Sequence, residues 1–505
     1  MKIFFLMRSS LYVRYYESFV RQMAERGHQI HLGLLKIDEI YAETAVAKLT
    51  LETPGASYTV FPKREREWLW RRPAEFIRGL QTYVRFLDQR YHDAGKLRAR
   101  AASLVPGPIR WPIEKFVGRD GKNMWSAIKF LRTIERSIPL HPSIVNFFES
   151  ERPDLFLVTP LVDLRATQLD WLKCAKALNV RSGLCVASWD NLSNKSLIQG
   201  EPDAVFVWNK IQQQEAIELH QISPSKIFVT GAQCYDRLFA RQPSASGAEF
   251  LSKVGLQAEH PYLLYLCSSK FIAPYEVDFV AKWIECLRIS SSPLLKSIGI
   301  LVRPHPQNAC QWKDVDFTRY GNVAIYPRQG DNPIGGDSLN DFFDSMYYSV
   351  AAVGINTSVM IESGILNKPV FTILSPEFRN TQEGTLHFHH LVKGGLLNIS
   401  YGLDQHVEQL SQVLAGGEYY QARIKHFIQN FVRPHGIEVE CTPIFVRAVE
   451  DLEHRVVSDP IDSSGGSIMV RILLFPWAAL SYTYKKAKEK SSKGRLLFNL
   501  IGLNR

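Results

Sequence analysis

The segment 353–364, VGINTSVMIESG, reads as a buried strand ending at Gly354 that hands over to a helix beginning at Thr357. A helix start offers backbone N–H groups without intrahelical partners and the positive end of the peptide dipole, which suits a phosphate or diphosphate. Asn356 is placed to cap it. Ser358 and Glu362 are four residues apart and share one helix face. A phosphate held near Ser358 would leave Glu362 free to accept hydrogen bonds from vicinal hydroxyls of a sugar; the plain alternative is a capped helix with one exposed glutamate. Two other segments carry matching chemistry. The strand-like run 298–302 leads into Arg303-Pro304-His305-Pro306, where a guanidinium fork fits phosphate oxygens and a histidine can hydrogen-bond a phosphate or transfer a proton. Cys267-Ser268-Ser269-Lys270 follows another strand and supplies small hydroxyl donors. In an open parallel sheet such strand ends share the edge at which ligands bind.

A second set of candidates lies nearer the amino terminus. After the strand-like run 184–187 comes Ser188-Trp189-Asp190-Asn191-Leu192-Ser193-Asn194-Lys195. A carboxylate at a strand end can take a proton from an acceptor hydroxyl, which makes Asp190 a candidate general base. An Asx-turn that starts the next segment is the structural alternative. Glu17, in the first helix, is a second possible base on the acceptor side, and Lys195 a basic neighbour. His387-Phe388-His389-His390 lacks a third-ligand pattern, so no metal is expected; His387 instead reads as a contact from a loop near the phosphate site.

The elements that must hold these residues alternate between strand and helix. Residues 2–6, 15–26 and 29–33 form a strand–helix–strand unit, hence a parallel sheet with right-handed crossovers. Strands follow at 155–159, 181–187, 204–208 and 227–230. A polar break at 241–249 precedes a second series at 262–267, 298–303, 323–326, 348–354 and 369–373. The expectation is α/β: two doubly wound Rossmann-like domains, 1–240 and 250–455, facing a central cleft.

The chain has 505 residues, 46% hydrophobic and 22% charged, which excludes wholesale disorder. Its seven cysteines show no CxxC spacing, and a reducing cytoplasm is the simplest home. Nothing approaches about 20 consecutive apolar residues, so no spanning helix and no secretion are expected. The net charge of +10 is uneven: residues 61–140 carry +10 and residues 467–505 carry +7, leaving an acidic remainder. In a helical insertion at about 61–145, Phe76, Leu80, Tyr83, Val84 and Leu87 follow helical spacing, with arginines expected on the opposite face. No nucleic-acid-binding motif accompanies the charge, so nucleic acid is not an expected partner. The tail runs from an apolar aromatic stretch at 468–484 into Lys485, Lys486, Lys488, Lys490 and Lys493. That pattern suits a segment lying on an anionic membrane surface, with a helix docked on the body as the alternative.

The pattern RPHP followed by GINTSVMIESGILNKPVF resembles the donor-binding half of GT-B enzymes. It is nearest the branch of CDP-glycerol glycerophosphotransferases, capsule-type glycosyltransferases and non-hydrolysing UDP-N-acetylglucosamine 2-epimerases, strongest over 180–375. The resemblance implies that Arg303 and His305 approach donor phosphates, that Ser358 binds the diphosphate and that Glu362 binds the ribose. It further implies that Gly231 is the strand-end glycine before the crossover between domains. Glycerophosphotransferases carry His-Gly-Thr-Pro-Leu-Lys where this chain has the loop with Asp190 and Lys195, which disfavours glycerophosphate transfer. The expectation is therefore a membrane-peripheral, cytoplasmic glycosyltransferase at the inner face of the membrane. It would move a sugar, or less readily a polyol phosphate, from a nucleotide-activated donor to a cell-surface glycan or lipid-linked acceptor. Ser268, Ser269, Arg303, Asn356, Thr357, Ser358, Glu362 and His387 would bind donor, and Asp190 and His305 would be catalytic. The donor is a substrate and no cofactor is expected. The alternatives are a nucleotide-sugar epimerase and a non-catalytic nucleotide-sugar-binding scaffold.

Overall fold

The computed structural model describes residues 1–38, 40–61, 68–118, 122–162, 164, 167–258, 260–416, 419–454 and 468–484. Two all-parallel sheets organise them. The first contains β1 (Lys2–Met7), β2 (Gln29–Leu34), β3 (Ala56–Val60), β4 (Leu155–Thr159), β5 (Arg181–Cys185), β6 (Ala204–Val207) and β7 (Ile227–Val229), in the order 3-2-1-4-5-6-7. The second contains β8 (Tyr262–Leu266), β9 (Gly299–Arg303), β10 (Val323–Ile325), β11 (Ala351–Gly354), β12 (Val370–Ile373) and β13 (Leu397–Ser400), in the order 10-9-8-11-12-13. Each order reverses beside its first strand, which opens a crevice at the carboxyl ends of the strands. Central strands such as KIFFLM and YLLYL are apolar almost throughout because helices cover both faces of each sheet.

The sequence reading omits β3 and β13. Both are sheet edges, and ASYTV carries no apolar run, since only one side of it is paired.

The helix Cys441–Leu452 falls in the range 250–455 expected for the second domain, yet it crosses back to the first. Phe445, Val446, Val449 and Leu452 are buried with Phe5, Tyr16 and Phe19, and Glu450 pairs with Arg26 at 2.7 Å. Arg433 and Asp236 tie the return at 3.0 Å, with Asp236 also accepting the backbone N–H groups of Cys441 and Thr442. Gly231 sits beneath this crossing with φ +84°, and a Cβ there would lie 2.2 Å from the Cys441 sulfur. Gly231→Ala is expected to cost about 2–4 kcal/mol from backbone strain and overpacking, read as a lower urea midpoint.

The insertion forms the helices Arg71–Arg85, Gly95–Ala102, Gly107–Val117, Met124–Arg136 and Pro142–Glu151. Its arginines do not all face water as expected. Arg78 and Arg85 are each 1% exposed. Arg78 lies between Glu135 at 2.9 Å and Asp170 at 2.5 Å. Arg85 donates to the carbonyls of Lys195 and Leu192 and to the Tyr91 hydroxyl. The 71–85 helix is covered on several sides, and buried guanidinium groups persist only where acceptors meet them.

The tail stretch is a helix over 468–484. One side docks on the insertion: Ala478 is buried with Trp70, Ala74 and Ile77, Trp477 meets Phe76 at 5.2 Å, and Arg471 Nε donates to the Ser137 carbonyl at 2.6 Å. Ile472, Leu473 and Leu480 stay exposed. Among the described residues no helix is long and apolar enough to cross a membrane. The lysines at 485–493 lie outside the described residues.

Candidate functional site

Strands β9, β8 and β11 are neighbours, so the segments after Arg303, Leu266 and Gly354 meet at one edge of the second sheet. Ser268 is fully buried there, as a strut: its Oγ accepts from the Asn356 N–H at 3.4 Å, and its own N–H donates to Glu276 at 2.8 Å. Ser269 is half-buried and turns the chain, its carbonyl accepting from Ile272 and Ala273. The following helix begins at Val359 rather than Thr357, with Ser358 exposed at its N-cap and Thr357 buried. Asn356 does not cap it. Its buried amide donates to the Thr381 carbonyl at 2.6 Å and lies 3.4 Å from His387 Nε2, because an enclosed amide takes the nearest acceptors.

Arg303 is buried beneath this edge. Its Nη1 makes two long hydrogen bonds of 3.4 Å, to the Asp341 carbonyl and the Ser345 hydroxyl, and its guanidinium lies 5.2 Å from the Phe342 ring centre. Its Nη2 is buried without a partner. Burial lowers its pKa to about 10, against nearby Asp341. A buried donor without an acceptor is costly to the fold. Glu362 faces it on the neighbouring helix, and burial raises its carboxyl to about 7 while Arg14 and Arg303 pull the other way. Burial lowers His305 to about 4, and its Nδ1 accepts from the Gln307 N–H at 3.1 Å. The neutral ring then carries its proton on Nε2, as a donor.

The opposite wall comes from the first sheet. Arg14, in the 3-10 helix Ser10–Tyr15 after β1, lies within electrostatic reach of Glu362 and Tyr235. It donates to the Tyr15 hydroxyl at 2.6 Å, and its Nε is buried without a partner. Arg14 is not among the residues expected here from the sequence; its place after the first strand is the signal it carries. Asp190 and His387 also meet across the lobes, with Trp189 stacked edge-on at 4.8 Å from the His387 ring.

Asp190, the expected base, sits in a network of charges and hydrogen bonds. Burial favours its neutral form, but Lys195 at 3.8 Å, His387 and the Ser188 hydroxyl hold its pKa at about 2. The ionised carboxylate is held so that it can position Lys195 and the 188–195 loop. Glu17 is taken up by Arg21 at 3.1 Å and by Arg237. The three histidines at 387–390 diverge: His389 bonds the Glu383 carbonyl at 2.7 Å and His390 bonds Glu215 of the first lobe at 2.8 Å.

Glu276 is a further residue that the sequence reading missed. It accepts from Tyr265 and Ser268, and burial raises its pKa to about 8. A carboxyl raised in the fold is most favourable while protonated, so its contribution falls as pH rises from the unfolded value near 4.5 through 8. Glu276→Gln is expected to flatten the decline of melting temperature between about pH 5 and 8.

No family model matches the sequence, and no curated protein matches it. Solved structures match its backbone across both lobes. The UDP-GlcNAc 2-epimerase from Neisseria meningitidis bound to UDP-GlcNAc superposes with a TM-score of 0.51 at 12% identity, covering 89% of this chain and 100% of that one. The chain has the GT-B fold. A glycosyltransferase from Rickettsia africae gives a TM-score of 0.50 at 9% identity, over 90% of this chain and 99% of that one. The two parallel sheets described above are the two halves of this GT-B fold.

Proposed function

We propose that this GT-B protein is a glycosyltransferase that uses a nucleotide-activated sugar. The observation that carries this reading is the convergence of Arg303, Arg14 and Glu362 from two lobes, with both guanidinium groups holding buried nitrogens that lack partners. A diphosphate bridging them satisfies those donors, and Glu362 is placed to accept from a ribose. His305 Nε2–H and Ser358 at the same edge complete the donor side. Rate enhancement comes from positioning and from neutralising the leaving diphosphate. Asp190 and Lys195 shape the acceptor side, and the acceptor is a glycan or lipid-linked molecule at the inner face of the membrane. The supports for a membrane-borne acceptor are the basic insertion and the apolar side of helix 468–484.

The likeness to an epimerase bound to UDP-GlcNAc favours a second reading, interconversion of nucleotide sugars without an acceptor. The test is a thermal-shift panel of nucleoside diphosphates and nucleotide sugars, followed by incubation of the best ligand with protein alone. Transfer requires that donor alone gives no epimer and that added membrane extract gives a labelled glycan or lipid. Epimer formed from donor alone rejects transfer, and a panel without any stabilising nucleotide rejects both readings.

A further inference from the structure

A cavity of about 330 Å³ opens within the insertion, away from the cleft, between helices 71–85, 95–102 and 107–117. Phe86, Leu87 and Ala102 supply apolar wall, while Arg98, Arg110 and Glu114 supply charge. Glu114 is engaged by the Tyr83 hydroxyl. Among the described residues neither arginine has a hydrogen-bond or ion-pair partner, and Arg110 Nε is buried without one. The cavity therefore combines oily walls with two cations that make no ion pair among the described residues and one carboxylate, a net positive lining. Helix 107–117 also presents Ile109, Trp111 and Phe116 to solvent, with the Lys115 ammonium 5.4 Å from the Trp111 ring centre. Aromatics beside lysines suit the headgroup layer of a membrane.

We infer that this cavity binds an anionic amphiphile, a phosphate ester carrying an apolar chain, with Arg98 and Arg110 on the phosphate and the chain against Phe86 and Leu87. The phosphate satisfies the idle guanidinium donors, and the chain displaces water from apolar wall. Helix 95–102 forms one wall of this cavity through Gly95, Arg98, Ala99 and Ala102. Lys96 and Arg100, on the same helix, contact Phe271 and the Asn194 carbonyl at the lobe junction. A lipid held here lies against the helix that also reaches the lobe junction. The inference rests on the transferase reading for the source of the lipid, not for its binding.

The test uses the full chain with dihexanoyl phosphatidic acid below its micellar concentration, compared with inorganic phosphate and dihexanoyl phosphatidylcholine. The phosphatidic acid is expected to raise the melting temperature, and the other two are not. The double substitution Arg98→Gln with Arg110→Gln is expected to weaken its binding by about tenfold or more, with nucleotide binding in the cleft unchanged. A diazirine-bearing alkyl phosphate is expected to label peptides spanning 83–87 in the unaltered protein, which keeps the test open should the double variant misfold. Retention on phosphatidylglycerol vesicles that the double variant loses assigns a membrane source; capture of the short-chain lipid without vesicle retention assigns a soluble one. Equal binding of the zwitterionic lipid, unchanged binding by the folded double variant, or labelling confined to other peptides overturns the site. Loss of nucleotide binding with lipid binding intact would instead count against the transferase reading.

Discussion

Arg303→Ala is expected to weaken nucleotide-diphosphate binding by about a hundredfold or more while leaving the fold intact or slightly more stable. The two expectations come from one observation. Arg303 is 6% exposed, and among the described residues its side chain makes two hydrogen bonds of 3.4 Å and leaves Nη2 unpartnered. As a structural residue it is poorly satisfied, so its removal forfeits little. As an anion receptor it has a free donor in a place where water competes weakly. Arg303→Lys is expected to recover only part of the binding, because an ammonium cannot make the forked contact. Calorimetric titration with the best nucleotide and a urea midpoint on the same samples separate the two effects. Unchanged affinity, or a collapse of stability with affinity retained, removes Arg303 from the binding site.

Arg78→Ala is expected to have the largest effect on stability, about 3–5 kcal/mol, because it breaks a buried charge cluster by one member. Arg78 pairs with Glu135 and Asp170, and Glu135 also meets Lys173 at 3.4 Å. Burial works against the charged guanidinium, but the two carboxylates outweigh it and raise its pKa. Without Arg78, Glu135 keeps Lys173 while Asp170 loses its only ion-pair partner among the described residues. The cost therefore falls on the contact between helix 71–85 and the helix Gln168–Ala177 of the first lobe. A shallow drop in the urea midpoint, under about 1 kcal/mol, would mean that the cluster relaxes into water instead.

The central strands that carry the candidate site are legible in the sequence. A strand enclosed on both faces must be apolar along its length, so runs such as ILVR or AAVG announce themselves, and the polar residues that follow sit at the ligand edge. That logic makes Arg303 a candidate, whereas Glu362 becomes one through its helical spacing from Ser358 and His387 through its place in a loop. The edge strands β3 and β13 escaped it because a strand paired on one side only can be short and partly polar.

Other features required the assembled chain. An amphipathic pattern marks helix 441–452 as having a buried face but does not say which sheet receives it; Phe445 and Val449 find theirs on the first. The same holds for Arg78, whose inward turn depends on Asp170, ninety-two positions along, and for Asp190, whose pKa is set by Lys195 and a histidine from the other lobe. Residue type and local spacing determine what a segment can bury and what a strand end can offer a ligand. Which charges share a desolvated space is decided only by tertiary packing, since electrostatic energy depends on distance and on exclusion of water rather than on separation along the chain.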